Sequence, residues 1–452
     1  MVITIKNHLR LTAVPSRLRD LLVDRLQFPN PKYLENKRMG RWNRGVTRQL
    51  RYYHRLRGDA LIIPRGYIRQ LIDLCHRQAV RFTIDDQRRS LPPVDFCFSG
   101  TLQPFQQQAV DEMGGKEFGT LCSPTGSGKT VMALYLAAQR LQPTLVVVHT
   151  KDLAQQWVER IGYFLGSSAG QIGTIGGGKK QIGEKITVAL VQSLYKCADE
   201  VAPKVGHLIV DECHRTPSRT FTEAVAEFDS RFMLGLSATP YRRDQLSRLI
   251  FWHLGDVHHR VDKVRLVESG NVLPAEVIFR ETDFKPFYDP VNDYSKMLSE
   301  LTADDERNRL IASDVAGETE RQSGICLILS DRKKHCQTLH ALLTYRHKVA
   351  AELLTGDLSI EQRQEAVQRI RRGDARVLVA TGQLIGEGFD CRDLTTLFLA
   401  TPVRFSGRVI QYLGRILRPA PGKAFARVFD YIDIHVQPLV NAANARKRVY
   451  KN

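Results

Sequence analysis

The run Ser123-Pro-Thr125-Gly126-Ser127-Gly128-Lys129-Thr130 has the composition of a loop that wraps a triphosphate. Glycines let the backbone turn until consecutive N–H groups face phosphate oxygens. A lysine just after them reaches the β- and γ-phosphates, and a threonine hydroxyl holds Mg²⁺. Residues 125–130 are therefore the candidate nucleotide-binding set, with Thr130 also a candidate metal ligand. Ser123 stands where the usual pattern has its first glycine, while the crowded positions Gly126 and Gly128 are retained. A Gly-rich turn beside a solvated lysine is the bland alternative, and context disfavours it. An apolar run, 119–122, precedes the loop, and Val131, Leu134, Tyr135 and Ala138 follow at helical spacing, so the loop joins a strand to a helix N-terminus. A second signal is Leu208-Ile-Val-Asp211-Glu212-Cys213-His214, an apolar strand ending in adjacent carboxylates. Ligands of open parallel sheets bind at the strands' carboxyl ends, which puts Asp211 beside the Mg²⁺ held by Thr130. Glu212 is then placed to orient or deprotonate an attacking water.

Such groups need a sheet to position them. Apolar runs at 144–149, 186–191, 207–210 and 232–237 alternate with helical stretches, the rhythm of a parallel sheet with crossover helices. A second strand–helix series runs through 325–330, 352–355, 376–381, 396–400 and 426–431. Ser359 and Gln362 form a capping-box signal for the helix after Gly356. Between the two series, from Tyr241 to about residue 324, the chain is mixed and charged and no element can be assigned. The fold class that follows is α/β, with two tandem doubly wound parallel-sheet lobes and a small basic α+β domain ahead of them.

A chain of 452 residues that is 43% hydrophobic has room for about two to four domains. Its net charge of +18 favours a polyanionic partner, and the distribution is uneven. Residues 1–90 hold twenty Lys and Arg against seven Asp and Glu, which is +13 of the total. They read as a separate domain. Ser16 is placed to cap a helix carrying Leu18, Leu21, Leu22 and Leu26, and residues 61–64 form a strand before a helix with Ile68, Leu71, Ile72 and Cys75. Between these lie Arg41, Trp42 and Arg44, then Arg48, Arg51, Tyr52 and Tyr53, and cations interleaved with aromatics suit phosphate contact plus base stacking. A solvated basic surface is the alternative. Residues 90–94 resemble a linker, and the basic tail 445–452 resembles a frayed end. Eight cysteines without any C-x-x-C pair imply reduced thiols rather than a metal cluster. With no run of eighteen apolar residues and no signal-peptide core, a cytoplasmic protein without a membrane partner is expected.

Together with Ser237-Ala238-Thr239 and Gln411-Tyr-Leu-Gly414-Arg415-Ile-Leu-Arg418, the nucleotide motifs resemble those of superfamily-two helicases of the D-E-x-H type. The resemblance covers roughly residues 100 to 433 and lies with the DNA repair and restriction motors typified by XPB, RadD and UvsW. It implies RecA-like lobes, ATP with Mg²⁺ between them, and specific roles. Phe105 and Gln106 resemble the adenine-reading segment, although the Arg often found at 103 is Gln here. Thr150, Lys151 and Ser193 resemble loops that contact the nucleic-acid backbone, with ordinary strand-to-helix turns as the alternative. Residues 237–239 resemble the link between hydrolysis and strand movement, and Arg243 departs from the Glu that the XPB branch carries. Thr381, with Gly388 and Asp390, resembles the segment that touches both nucleic acid and ATP. Gln411, Arg415 and Arg418 are spaced four and three apart, on one face of a helix if Ser406 begins it, and would present guanidiniums to the γ-phosphate. The catalytic set is thus Lys129, Asp211, Glu212, Gln411, Arg415 and Arg418. The turn at 176–180 fits a plain hairpin better than a phosphate contact.

The implied function is that of an ATP-dependent DNA helicase or translocase, moving 3′ to 5′ by resemblance, in repair, recombination or phage or defence-related DNA processing. Two alternatives stay open: an RNA helicase, and a nucleic-acid-stimulated ATPase that acts as a switch or recruitment subunit without unwinding. Expected partners are DNA, whether single-stranded, forked or duplex, and a protein such as a nuclease or repair factor, because the chain shows no nuclease constellation of its own. Expected domain limits are 1–92, 93–262, 263–323 for the connection, and 324–452.

Overall fold

The computed structural model of the chain describes residues 1–124, 126–215, 219–238, 246–268, 270–321, 324–382, 393–403 and 406–451. By packing they form two units, one of residues 1–123 and 128–261, the other of 124–127 and 262–452.

The first unit is built on an eight-stranded sheet in the order Lys179–Gln181, Gly173–Gly176, Ile186–Leu190, Thr144–Val148, His207–Val210, Phe232–Ser237, Phe118–Cys122 and Val257–Arg260. All neighbours are parallel except the hairpin at one edge. Thr144–Val148 is buried at every position, as a parallel strand covered on both faces must be. The edge hairpin turns on Gly177 and Gly178 with φ of 60° and 85°. Positive φ at both central residues belongs to a two-residue hairpin turn, so these glycines are explained by the turn.

The first ninety residues do not pack as a separate body. Their sheet, His54–Arg55, Leu61–Pro64, His8–Thr12, Val2–Ile5 and Thr83–Asp86, covers helices Ser16–Arg25 and Ile68–Arg77. Ser16 opens its helix rather than capping it, because Pro15, with φ fixed at −55°, takes the N-cap position. The seam to the first lobe is helix Ser247–Leu254, which is apolar on two sides. Leu249 and Trp252 enter the N-terminal core, while Ile250 and Leu254 enter the core of the lobe. Gly66 lies so close that a Cβ there would stand 2.4 Å from the Phe251 carbonyl and 2.6 Å from the Gly255 nitrogen. Arg65, 3% exposed, donates to the carbonyls of Ser230 at 2.9 Å and Lys6 at 3.2 Å, and burial pulls its pKa down to about 9. The stretch after Ser90 is stapled too, since the Gln142 amide exchanges two hydrogen bonds with the Leu91 backbone at 2.8 and 2.9 Å.

The second unit carries six parallel strands in the order Ala275–Thr282, Ala426–Asp433, Leu394–Leu399, Ile325–Ser330, Val377–Thr381 and Ala351–Leu354. The segment before residue 324, unreadable in sequence, supplies the edge strand Ala275–Thr282 and helices Lys263–Glu268, Tyr294–Ala303 and Asp305–Arg321. Two buried ion pairs fix its periphery. Arg307 donates to Asp433 at 2.7 Å and to the Ala400 carbonyl at 2.7 Å, and Asp433 also accepts from the Thr282 hydroxyl. Arg446 grips the fully buried Asp430, which also accepts from Tyr450 at 2.8 Å. The basic tail is therefore not frayed: it is helix Gln437–Lys451, held because a carboxylate buried at Asp430 requires a cation. The capping box at Ser359 and Gln362 is present, with the two reciprocal bonds at 3.2 and 2.9 Å.

The seam at Gly66 makes a prediction. Gly66→Ala should lower stability by about 3 kcal/mol, because the atoms it meets are backbone and cannot swing aside, and the urea midpoint measures it. A chain begun at Pro92 should aggregate rather than keep ATPase, since it exposes Leu249 and Trp252. The second unit should be acid-sensitive through His335, which is 1% exposed and lies 2.9 Å from the Ser330 hydroxyl and 2.8 Å from the Asn308 side-chain oxygen. Burial lowers its pKa to about 3, so the unfolded chain binds the proton more tightly. Stability present above pH 6.5 is then lost as pH falls, by on the order of 3 kcal/mol at pH 4, and His335→Gln should flatten that limb of a melting-temperature profile.

Candidate functional site

Strand Phe118–Cys122 runs into the phosphate loop, and helix Lys129–Arg140 leaves it. Ser123 is fully buried and continues the strand, its N–H donating to the Ser237 carbonyl at 2.9 Å. Its φ is not positive, which is why a side chain is tolerated where the usual pattern has glycine. Gly126 and Gly128, by contrast, sit at φ of 89° and 84°, a region that side chains rarely adopt. A Cβ on Gly128 would also stand 2.4 Å from the Gln106 amide nitrogen. Gln106 is itself held, accepting from the Gln103 backbone N–H at 2.9 Å, so the Gln at 103 begins the helix Pro104–Gly114 that braces the loop. Phe105 beside it is half-buried. Lys129 reaches back to the Ser123 carbonyl at 3.0 Å. Thr130 lies in the first helical turn, where no side chain caps the helix. Thr125 falls outside the described residues.

Strand His207–Val210 delivers the two carboxylates at its carboxyl end. Asp211 is 7% exposed and takes the Trp157 indole N–H at 2.8 Å and the Glu212 backbone N–H at 2.8 Å. Burial and the adjacent Glu212 charge raise its pKa to about 6, opposed by the Trp157 bond and the Lys129 cation. Glu212 adopts φ of 47°, a left-handed conformation that costs a non-glycine residue about 1 kcal/mol. One Glu212 oxygen lies 3.2 Å from His214 Nδ1, which is also 3.0 Å from the Ser237 hydroxyl. His214 thus connects the Glu212 carboxylate to the end of strand Phe232–Ser237.

The other predicted positions are placed as follows. Thr150 caps helix Lys151–Leu165, its hydroxyl accepting from the Leu153 N–H at 3.3 Å, and Lys151 is exposed beside it. Ser193 lies on the short helix Val191–Leu194. The strands feeding these two turns are parallel neighbours, so Thr150, Lys151 and Ser193 share one edge of the sheet. Thr381 ends strand Val377–Thr381, and the next residue, Gly382, offers its carbonyl to the Tyr412 hydroxyl at 3.1 Å. Gly388, Asp390 and the Gln411 side chain lie outside the described residues, as does Thr239. Arg415 is on helix Ser406–Ile416, but Arg418 is not: the helix stops two residues earlier. Pro419 is the reason, since the residue before a proline is driven out of the helical region. Lys423 closes that helix end, donating to the carbonyls of Leu394 and Ile416 and, at 3.0 Å, Arg418. In the second unit, a Cβ on Gly126 would meet the Gly414 carbonyl at 3.2 Å and the Arg418 side chain at 3.3 Å.

A triphosphate with Mg²⁺ fits these residues. The left-handed glycines form a turn that side chains would fill, a helix N-terminus without a capping side chain follows, and a lysine, a threonine hydroxyl and a buried carboxylate supply the donor set. Such a site on a RecA-like parallel sheet, followed by a second such sheet, defines a P-loop ATPase with tandem lobes. Residues 99–242 match the family model described as type III restriction enzyme, res subunit, and residues 297–420 match the helicase conserved C-terminal domain. A DNA 3′-5′ translocase XPB2 of Sulfurisphaera tokodaii is 28% identical over 70% of this chain and 78% of its own length. A putative ATP-dependent RNA helicase L396 of Acanthamoeba polyphaga mimivirus is 27% identical over 80% of this chain and 69% of its own. A solved fragment of a putative HsdR subunit of a type I restriction enzyme from Vibrio vulnificus shares the fold with a TM-score of 0.56, at 19% identity over 77% of this chain and 66% of that one. With both helicase domains present, the chain is an ATP-hydrolysing enzyme of the superfamily-two helicases, and its XPB-type relatives are similar to it at 28% identity. Among the described residues no helix is long and apolar enough to cross a membrane.

Sequence reasoning assigned no role to Trp157 as the donor to Asp211, to Tyr412 or to Lys423. Trp157 was findable in principle: strand Thr144–Val148 pairs directly with His207–Val210, so the helix after the first lies over the end of the second. Trp157→Phe keeps the volume and deletes the bond. The Mg²⁺ concentration for half-maximal ATPase should rise roughly 10-fold or more, as when a partner of a metal ligand is lost, and an Mg²⁺ titration measures it.

Proposed function

We propose that the chain is a DNA translocase or helicase that turns ATP hydrolysis into movement along DNA. The observation that carries this reading is the left-handed Glu212 beside the buried Asp211, at the strand end next to the phosphate loop. Asp211 and Thr130 would hold Mg²⁺, which neutralises charge on the phosphates when bound. Lys129 leaves the Ser123 carbonyl to contact the β- and γ-phosphates, and the glycine turn offers backbone N–H groups to the same oxygens. Glu212 orients the attacking water and takes its proton, while His214 holds one of its oxygens. Phe105 and Gln106 contact the adenine. Arg418, against Gly126 of the loop, stabilises charge on the transferring phosphoryl group, and Arg415 and Gln411 assist from the same segment.

Movement requires that hydrolysis alter the hold on the strand. The Glu212–His214–Ser237 path supports such coupling, because loss of the γ-phosphate changes the field at Glu212 and so at the end of strand Phe232–Ser237. The edge carrying Thr150, Lys151 and Ser193, with Thr381 in the other lobe, would contact the backbone of one strand. DNA is favoured by the name of the XPB2 relative, which also gives 3′-to-5′ as the direction to test. A nuclease or repair factor would supply any cleavage.

The test is ATPase titrated against single-stranded, forked and duplex DNA and matched RNA, followed by a translocation assay. Stimulation by single-stranded or forked DNA above RNA is expected, and preference for RNA would overturn the DNA assignment. Lys129→Ala should abolish most ATP binding, while Glu212→Gln should keep binding and stall turnover. Arg418→Ala should cut DNA-stimulated turnover by roughly 10³-fold or more with little change in nucleotide affinity. Wild-type turnover in the Glu212 variant would refute its role.

A further inference from the structure

Away from the ATP site, the N-terminal region projects an arm with its own chemistry. Strands Gln27–Pro29 and Gln49–Arg51 pair antiparallel, and between them run helix Pro31–Arg38 and the turn 39–48. Lys37, Arg38, Arg41, Arg44, Arg48 and Arg51 are all exposed, and residues 27–57 contain one acidic residue, Glu35. None of these six cations meets a carboxylate within ion-pair distance among the described residues. At the centre stands Trp42, 91% exposed, flanked by the half-exposed Leu34 and Met39.

The turn that displays this indole is built, not loose. Asn36 donates to the Trp42 carbonyl at 3.4 Å and to the Asn43 side-chain oxygen at 3.1 Å, and Asn43 donates to the Tyr33 carbonyl at 3.3 Å. The Arg41 N–H reaches the Asn36 carbonyl at 2.8 Å, and Gly40, at φ 64°, makes the bend that ends the helix. Asn30 caps that helix through Lys32 N–H at 3.0 Å. The base of the arm is equally fixed. Phe28 stacks on Tyr52 at 6.0 Å, Tyr52 meets Trp252 edge-on at 5.5 Å, and the Arg248 guanidinium lies 4.5 Å over Phe28. Arg248 and Trp252 belong to the helix that joins this region to the ATP-binding lobe.

We propose that this arm is a second nucleic-acid site, in which the Trp42 indole stacks on an unpaired base while the arginines around it hold the flanking phosphates. The inference rests on the reading of the chain as a DNA motor. A tryptophan is worth several kcal/mol when buried, so holding one in water on a hydrogen-bonded turn is costly unless a ligand covers it. The ring of arginines selects a polyanion, and the flat apolar face selects one with exposed bases. The interior of a duplex offers phosphates without free base faces, and each blunt end offers only one, so the arm favours single strands and the unpaired arm of a fork.

The full-length protein carries the probe. Of its three tryptophans, Trp157 and Trp252 are 2% and 4% exposed, so acrylamide-quenchable emission reports Trp42. Oligodeoxynucleotides that are single-stranded or forked should shield Trp42 from acrylamide, and blunt duplex should shield it far less. Trp42→Ala should weaken single-strand binding by roughly 5- to 100-fold, with Trp42→Phe restoring most of it and ATPase without DNA unchanged. Arg41→Gln with Arg44→Gln should flatten the salt dependence by about 0.7 per lost phosphate contact on a log–log plot. If Trp42→Ala binds single-stranded DNA as the wild type does and DNA leaves Trp42 fully quenchable, the proposal is overturned and the arm is a surface for another class of partner. DNA-stimulated ATPase is read on the same samples. If DNA shields Trp42 but does not stimulate the wild-type enzyme, the motor reading fails while the arm site stands.

Discussion

A carboxylate held nearly out of water at the end of strand His207–Val210 is the constraint on which the ATP-binding unit depends. Asp211 must keep a negative charge to serve a divalent cation, yet burial and the neighbouring Glu212 both oppose it. The fold answers with donors from three directions: the Trp157 indole, the Glu212 backbone N–H and the field of Lys129. Each comes from the segment that follows the carboxyl end of a different strand of one parallel sheet, so strand order is itself part of the electrostatics. The same strand end holds Glu212 in a left-handed conformation, which carries its own cost.

What was legible in the sequence follows from how local the cause is. The phosphate loop declares itself because positive φ at Gly126 and Gly128 demands glycine, while Ser123 is permitted by an ordinary φ. The central strands declare themselves because a strand covered on both faces must be apolar throughout, as Thr144–Val148 is. The capping box at Ser359 is local by nature.

What stayed hidden is tertiary. Strand Ala275–Thr282 lies at a sheet edge with all but its last side chain exposed or half-buried, so no alternation marks it, and its eight-residue register is set by Ala426–Asp433, far along the chain. Helix Ser247–Leu254 reads simply as apolar, and nothing in it says that opposite faces serve two different cores. Arg418 is the instructive case of a local rule applied incompletely: its spacing from Arg415 suggests one helical face, but Pro419 had already removed it from the helix. That displacement leaves its backbone carbonyl to Lys423 and its side chain against Gly126.

The two-sided helix also sets how the basic arm can act. Because Trp252 and Leu249 are packed in one core and Ile250 and Leu254 in the other, the arm cannot swing on a tether relative to the phosphate-binding sheet. Arg248 over Phe28 and the Phe28–Tyr52–Trp252 cluster extend the same rigidity to within a few residues of the turn that carries Trp42. A nucleic-acid contact at Trp42, as proposed, would then be held at a fixed distance from the Thr150 and Ser193 edge, and a second contact there would form without the entropy loss that a flexible linker imposes. Rigid spacing also makes the pair selective. A strand that reaches both positions must follow the path the unit dictates, and one that cannot gains from only one of them. Shape along the path, rather than base sequence, is therefore what this arrangement can discriminate.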